Sequence, residues 1–250
     1  MVEDGTLTLC YQSTTRMNAH IPEFAMLDLP FLFQDRADAY ATLDGPFGDH
    51  LRGRLEAATP YRILGWWDNG FRHLTNRVHT IRTPRDCAGL RIRTQFSETH
   101  QAAFRRLGME PVAIDVRDLV TSLAAGAVDA QDNALTNVVN FEIYKHHPYV
   151  TLSAHVFGTS AVYANADRLA ELGPEVAAVL RDAVTQATAA QRAFAAAEDA
   201  IAMAKLEAEG VEITRLTPAE HATFVEAVAP VLDAQRAQFG DDLFRLATGR

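Results

Sequence analysis

The chain has 250 residues, room for one large domain or two modest ones, and 48% of them are hydrophobic against 22% charged, the balance of a globular protein with a real core. Lys and Arg number 23 and Asp and Glu 32, a formal charge of −9, which argues against nucleic acid as a partner because phosphate binding needs a basic face. An anionic small ligand stays open, since a few local arginines outweigh a distant, screened net charge.

The start, M-V-E-D-G, is acidic and carries no signal peptide, and read as written the chain stays in the cytosol. Apolar runs fall short of the ~20 residues that span a membrane. Leu7 to Tyr11 reads as a short buried strand, with Cys10 a small hydrophobe inside it and Q-S-T-T-R a polar loop at its carboxyl end. Residues 25–33 are strongly apolar, but Pro30 argues against a regular central strand. Two helical patterns follow, split by Gly45-Pro46. Tyr61–Trp67 reads as a strand, Asn69-Gly70 as a tight turn, and His73–Asn76 as the next strand. Cys87 sits beside a turn with no evident role, and two cysteines make neither a disulfide framework nor a zinc pattern.

From Gly89 the pattern alternates. Leu90–Thr94 is a strand, Ser97 caps a helix to Leu107, and Val112–Ile114 is a strand. Asp115 caps a helix ending at Gly126, Val128–Gln131 is a strand, and Leu135–Tyr144 a helix. Strands at Val150–Leu152 and Val156–Ala164 complete a set that predicts a largely parallel sheet. Then Pro174 starts a helix that nothing breaks until Gly210, about 36 residues or roughly 54 Å. Without a sustained heptad it is no coiled coil, so it predicts a helix crossing between two lobes. Val211–Thr214 is a strand and Pro218–Gln238 a helix capped by Thr217.

Polar side chains collect where these strands end, which is where open α/β sheets gather ligands. Arg91 and Arg93 are two apart, on the face opposite Ile92, and alternation alone does not choose between them. Arg72 follows Gly70-Phe71. A guanidinium fork holds a carboxylate bidentately, and Asn133 could donate its amide to the same oxygens, although Asp132 or Asn133 could equally cap a helix. Of Trp66 and Trp67, one faces the core and the other the opposite side, where it could wall a pocket. The nine histidines make no H-E-x-x-H or similar spacing, so no metal site is expected, and G-x-S-x-G, G-x-G-x-x-G and P-loop motifs are absent. On these grounds the constellation is one for holding a ligand, with no cofactor.

Six ordered segments resemble a known family: L-D-L-P-F-L-F, G-W-W-D-N-G-F-R-H-L-T-N, C-A-G-L-R-I-R-T, L-G-M-E-P-V-A-I, D-L-V-T-S-L-A-A-G-A-V-D-A-Q-D-N-A-L-T-N and F-E-I-Y-K-H-H-P-Y-V-T-L-S-A-H. Together they are similar to the extracytoplasmic solute-binding subunit of TRAP transporters, the DctP-like family. The resemblance implies a periplasmic, monomeric protein with no enzymatic activity, which shuts two lobes on an organic acid and hands it to transporter membrane subunits. It implies Arg93 as the carboxylate anchor, Arg72 and Asn133 beside it, and Ser13 from the other lobe. Trp67 and Phe96 would face an apolar or ring-bearing tail. The α/β lobes expected are 1–69 with 159–198, and 70–158 with 199–250, bridged by the helix near 174–209. Two departures stand out: the chain starts at what resembles the family's third strand, without the signal peptide and first two βα units, and Asp132 and Ala134 replace the usual Glu and Pro. A ligand-presenting protein for a receptor kinase and a truncated remnant that binds nothing are the alternative expectations.

Overall fold

The computed structural model describes residues 1–249. Its elements in chain order are β1 (Leu9–Ser13), α1 (Arg36–Asp44), α2 (Pro46–Ala58), β2 (Tyr61–Asn76), β3 (Arg91–Thr94), α3 (Glu98–Arg106), β4 (Glu110–Ala113), α4 (Leu119–Ala124), β5 (Ala130–Ala134), α5 (Leu135–Asn140), β6 (Tyr149–Asn165), α6 (Ala166–Glu171), α7 (Gly173–Ala208), β7 (Glu212–Arg215), α8 (Pro218–Phe239) and α9 (Asp241–Thr248). Short 3-10 turns cover Thr14–Ala19, Pro22–Asp28, Pro84–Cys87, Val116–Asp118 and Ile143–Lys145.

The strands form one sheet in the order β1-β6-β2-β5-β3-β4, with β7 also on β6. The expectation of a largely parallel sheet is corrected. Pairs β3–β4, β3–β5 and β6–β7 are parallel, but β1–β6, β2–β6 and β2–β5 are antiparallel. The reason is that β2 and β6 are each one long strand. The sequence predicts breaks at Asn69-Gly70, from its turn chemistry, and between Leu152 and Val156. The backbone instead accommodates those residues in register shifts, between Asp68 and Phe71 and between Arg72 and Leu74. Gly70 sits there at φ 80, a conformation that favours glycine.

Three apolar clusters fill the interior. The first joins Met17, Phe24, Phe47 and Trp66 to Phe157 and Tyr163, and takes in Val231, Leu243 and Ala247 from the C-terminal helices. The second gathers Leu74, Ile92 and Phe104 with Phe224 and Val228 of α8. The third packs Leu119, Leu135 and Val150 against Ala202 and Leu206 of α7.

Helix α7 runs 36 residues, within one residue of the expected span at either end. Pro174 in its first turn and Gly210, at φ 75 beyond its end, set the limits. It is tied along β2 at three consecutive residues. Arg192 Nη2 donates to the Trp66 carbonyl at 3.0 Å, Trp67 Nε1 to Thr188 at 2.9 Å, and the Gln191 amide brackets the Asp68 backbone at 2.9 and 2.6 Å. Ser97 and Thr217 cap α3 and α8 as expected. Two expected helices are shorter than the sequence suggests: α4 starts late, after a separate 3-10 turn over Val116–Asp118, and α5 stops at Asn140 before Glu142 turns left-handed at φ 52. The first strand is shifted to Leu9–Ser13 and half open, with Leu9 and Tyr11 exposed and Cys10 half-buried. Cys87 is buried in the second cluster, and burial pushes its thiol up to about 12.

Candidate ligand-binding site

A cavity of about 560 Å³ opens where the carboxyl ends of β1, β3 and β4 approach the middle of β2 and β6. Drug-sized ligands occupy pockets of roughly 300–1,000 Å³. Its floor carries Arg72, Arg93 and Asn133, and Ser13, Asn69 and Ser160 face them.

Arg93 lies in the parallel part of the sheet, between Val112 of β4 and Gln131 of β5. The sheet on either side buries it to 2% exposure. Its Nε donates to the Ile114 carbonyl at 2.9 Å, while Nη1 is buried with no hydrogen-bond partner among the described residues. Burial, and next the Arg72 charge, lower its pKa to about 10, so it remains a cation at neutral pH. Arg91, on the same face of β3, is instead spent on Asp129 at the other end of the strand, at 2.9 and 3.0 Å. Tertiary placement thus separates two arginines that alternation could not.

Arg72 is 3% exposed. Its Nε donates to Asp132 Oδ2 at 2.5 Å, its Nη2 to Asp132 Oδ1 at 3.1 Å and also to the Asp132 carbonyl, and its Nη1 to Asn133 Oδ1 at 3.4 Å. Burial disfavours the Asp132 carboxylate, but Arg72 and His155 outweigh it and hold the group well below the usual carboxylate range. His155 Nε2 lies 3.3 Å from Asp132 Oδ2, and its Nδ1 is 2.8 Å from Ser153 Oγ. This Ser–His–Asp row is buried and neither Ser153 nor His155 lines the cavity, so its work is to support Asp132 and through it Arg72.

Asn133 lies inside β5, not at a helix cap; Ala134 precedes α5 in that position. A chain of bonds fixes its amide. Gln131 Nε2 donates to Thr75 Oγ1 at 2.7 Å, and Thr75 Oγ1 is 2.9 Å from His147 Nδ1. Gln131 Oε1 is therefore the acceptor for Asn133 Nδ2, at 3.2 Å. Asn133 Oδ1 then serves Arg72 and Asn137 Nδ2, the latter at 3.0 Å, and Asn133 itself lines the cavity.

Ser13 ends β1 and caps the following turn, its Oγ accepting from the Thr15 amide at 3.4 Å. Phe96, in the loop after β3, lines the mouth and is 66% exposed. The structure brings Arg93, Arg72, Asn133, Ser13 and Phe96 around one cavity and leaves Trp67 out of its lining. The Trp67 indole is tied to α7, with its ring 5.1 Å from that of Tyr11, which does line the cavity.

Sequence reasoning missed Asn69, Asn137 and Asp28. Asn69 was hidden by its reading as a turn residue. Asn137 had a signal, four residues beyond Asn133 in L-T-N. Asp28 is buried and accepts from Thr15 at 2.9 Å, Asn18 at 2.9 Å and Ser97 at 2.7 Å, so it ties the turn after β1 to the start of α3. Its only sequence cue was an acid inside an apolar run. Among the described residues, no three His, Cys, Asp or Glu side chains are placed to hold a metal ion, and no helix is long and apolar enough to cross a membrane.

Known proteins resemble this chain in sequence and in fold. A solute-binding protein of Verminephrobacter eiseniae is 32% identical over 239 residues, 96% of this chain and 70% of its own length. The 2,3-diketo-L-gulonate-binding periplasmic protein YiaO of Escherichia coli is 30% identical over 227 residues, 91% of this chain and 68% of its own. A TRAP periplasmic solute-binding protein of Ralstonia eutropha, solved with bound (S)-2-acetolactate, superimposes with a TM-score of 0.94 at 30% identity, covering 99% of this chain and 80% of that one. The α/β fold of TRAP periplasmic binding proteins is therefore the fold of this chain. The family model for bacterial extracellular solute-binding proteins, family 7, matches residues 1–238, and the chain belongs to that DctP family.

Proposed function

We propose that the protein binds a small organic acid in this cleft and delivers it, as a periplasmic monomer without catalysis, to the membrane subunits of a TRAP transporter. The observation that carries the reading is Arg93. A guanidinium almost fully buried, with an unpartnered Nη1 beside a cavity, is costly unless an anion completes it. The kinship supports the ligand class: the E. coli relative is named for 2,3-diketo-L-gulonate and the R. eutropha protein was solved with acetolactate, both carboxylates. In this reading Asn133 and Ser13 complete the carboxylate and polar contacts, Arg72 orients from behind, and Phe96 covers the mouth.

Two lobes, 1–69 with 159–198 and 70–158 with 199–250, would close over the ligand, with residues 231–247 reaching back onto the first core. Support for the hinge comes from the register shift between Asp68 and Phe71, and from Gly158, where an added Cβ would lie 2.9 Å from the Gly70 carbonyl. The test is calorimetry with a panel of organic acids. Arg93→Ala should cost about 3–5 kcal/mol, on the order of a hundred-fold to a few thousand-fold in Kd. Unchanged affinity in that variant would remove Arg93 as the anchor.

A further inference from the structure

We propose that the cleft selects a singly charged acid, and that Asp115 is the residue that turns away a second carboxylate. This rests on the organic-acid reading above and narrows it. Four charged side chains line the cavity: Arg16, Arg72, Arg93 and Asp115. Arg72 is matched by Asp132 behind it, and Arg16 faces Asp115 with Nη2 3.6 Å from Oδ2. Arg93 is left as the one lining cation with no carboxylate within ion-pair distance among the described residues. The charge of the cleft is therefore balanced by one anionic group.

The position of Asp115 gives it authority over what else enters. The residue before it, Ile114, takes the Arg93 Nε–H on its carbonyl, so a carboxylate stands one residue from the anchor. It is fixed there from outside the cavity: Arg117 donates to Oδ1 from its backbone amide and from Nε, each at 3.0 Å. Those bonds hold its pKa at about 2, so it is ionised throughout the neutral range. Arg117 itself is largely in solvent, where salt screens it. The remaining polar lining, including Gln12, Asn69, Asn137 and Ser160, is neutral and suits hydroxyl or keto oxygens. A dicarboxylate would bring a second negative charge against Asp115, and the one other guanidinium on that side, Arg16, is half in solvent and already stands opposite that carboxylate. Specificity built from such repulsion is a difference between two affinities. The ligand class is a hydroxy- or keto-monocarboxylate.

The experiment is calorimetry at neutral pH with acids that differ by one carboxylate: galactonate against galactarate, and 2-hydroxybutyrate against malate. The monocarboxylate of at least one pair should bind more than about tenfold tighter than its partner, because like charges opposed across a contact are strongly disfavoured. Asp115→Asn should narrow that ratio to within about threefold, mainly by tightening the dicarboxylate. Asn and Ser both cap helical turns, so Asp115→Asn and Asp115→Ser should leave the unfolding midpoint in place, and either can serve if the other misfolds. Equal affinity within each pair for the unaltered protein, or a ratio that neither variant moves, overturns the inference while leaving the organic-acid reading intact. Failure of every acid to bind overturns both.

Discussion

Asp132 takes Arg72 through both carboxylate oxygens and its own carbonyl. That grip absorbs one of the two guanidiniums on the floor of the cleft and leaves Arg93, with its unpartnered Nη1, facing the cavity. The two arginines look equivalent in the chain, yet one is paired with a carboxylate and the other is not.

Replacing Asp132 with Asn removes the counter-charge and keeps the shape. Arg72 is then a buried cation without its partner, and the protein should lose about 3–5 kcal/mol of stability. Urea unfolding monitored by circular dichroism measures this. A midpoint equal to that of the unaltered protein would mean that water or another group replaces the carboxylate.

Gly70 links the same floor to the strand junction. An added Cβ would lie 2.8 Å from the Ala134 Cβ, and φ 80 is itself strained for any other residue. Gly70→Ala should cost about 1–3 kcal/mol and weaken ligand binding, because the clash falls beside Asn133 and two residues before Arg72. Denaturation and calorimetry on one preparation separate the two effects; a fully stable variant would contradict the close approach.

Trp67 separates a ligand contact from a helix anchor. Trp67→Phe keeps the ring near Tyr11 and removes the bond to Thr188 on α7. Stability should fall by about 1 kcal/mol, with affinity held within about threefold. A large loss of affinity with no loss of stability would restore Trp67 to the ligand.

Acid should weaken the fold before it strips the ligand site. Burial, then the neighbouring His155, lowers His73 to about 3, and burial, then His146, lowers His147 to about 4. Both lie below the ordinary value of ~6.5. Between those limits the unfolded chain binds more protons than the folded one, so stability rises with pH across the window and falls as pH drops from ~6.5. Each imidazole contributes at most about 1.4 kcal/mol per pH unit. The urea midpoint should be lower at about pH 5 than at about pH 7. His147→Asn, whose side-chain oxygen can still accept from Thr75, should lose part of that dependence. A midpoint flat across this range would show that neither imidazole is held neutral.

Much was legible in the chain because it depends on local chemistry. Pro174 and Gly210 bounded a 36-residue helix to within a residue, and Ser97 and Thr217 marked helix starts through caps that act over three residues. The ordered segments from Leu27 to His155 carried the family, and with it Arg93, Arg72 and Asn133 as neighbours. Asn69-Gly70 misled because a dipeptide that favours turns is absorbed as a local irregularity, with Gly70 at φ 80, inside two long strands that stay paired on either side of it. Which arginine is spent and which is available, which way the Asn133 amide points, and where Asp28 and Asp115 face are decided only in three dimensions. Most turn on partners distant in the chain, as Arg72 is from Asp132 and Gln131 from Thr75, or on which side of a cavity a backbone turn leaves a charge. Local propensity does not reach that far.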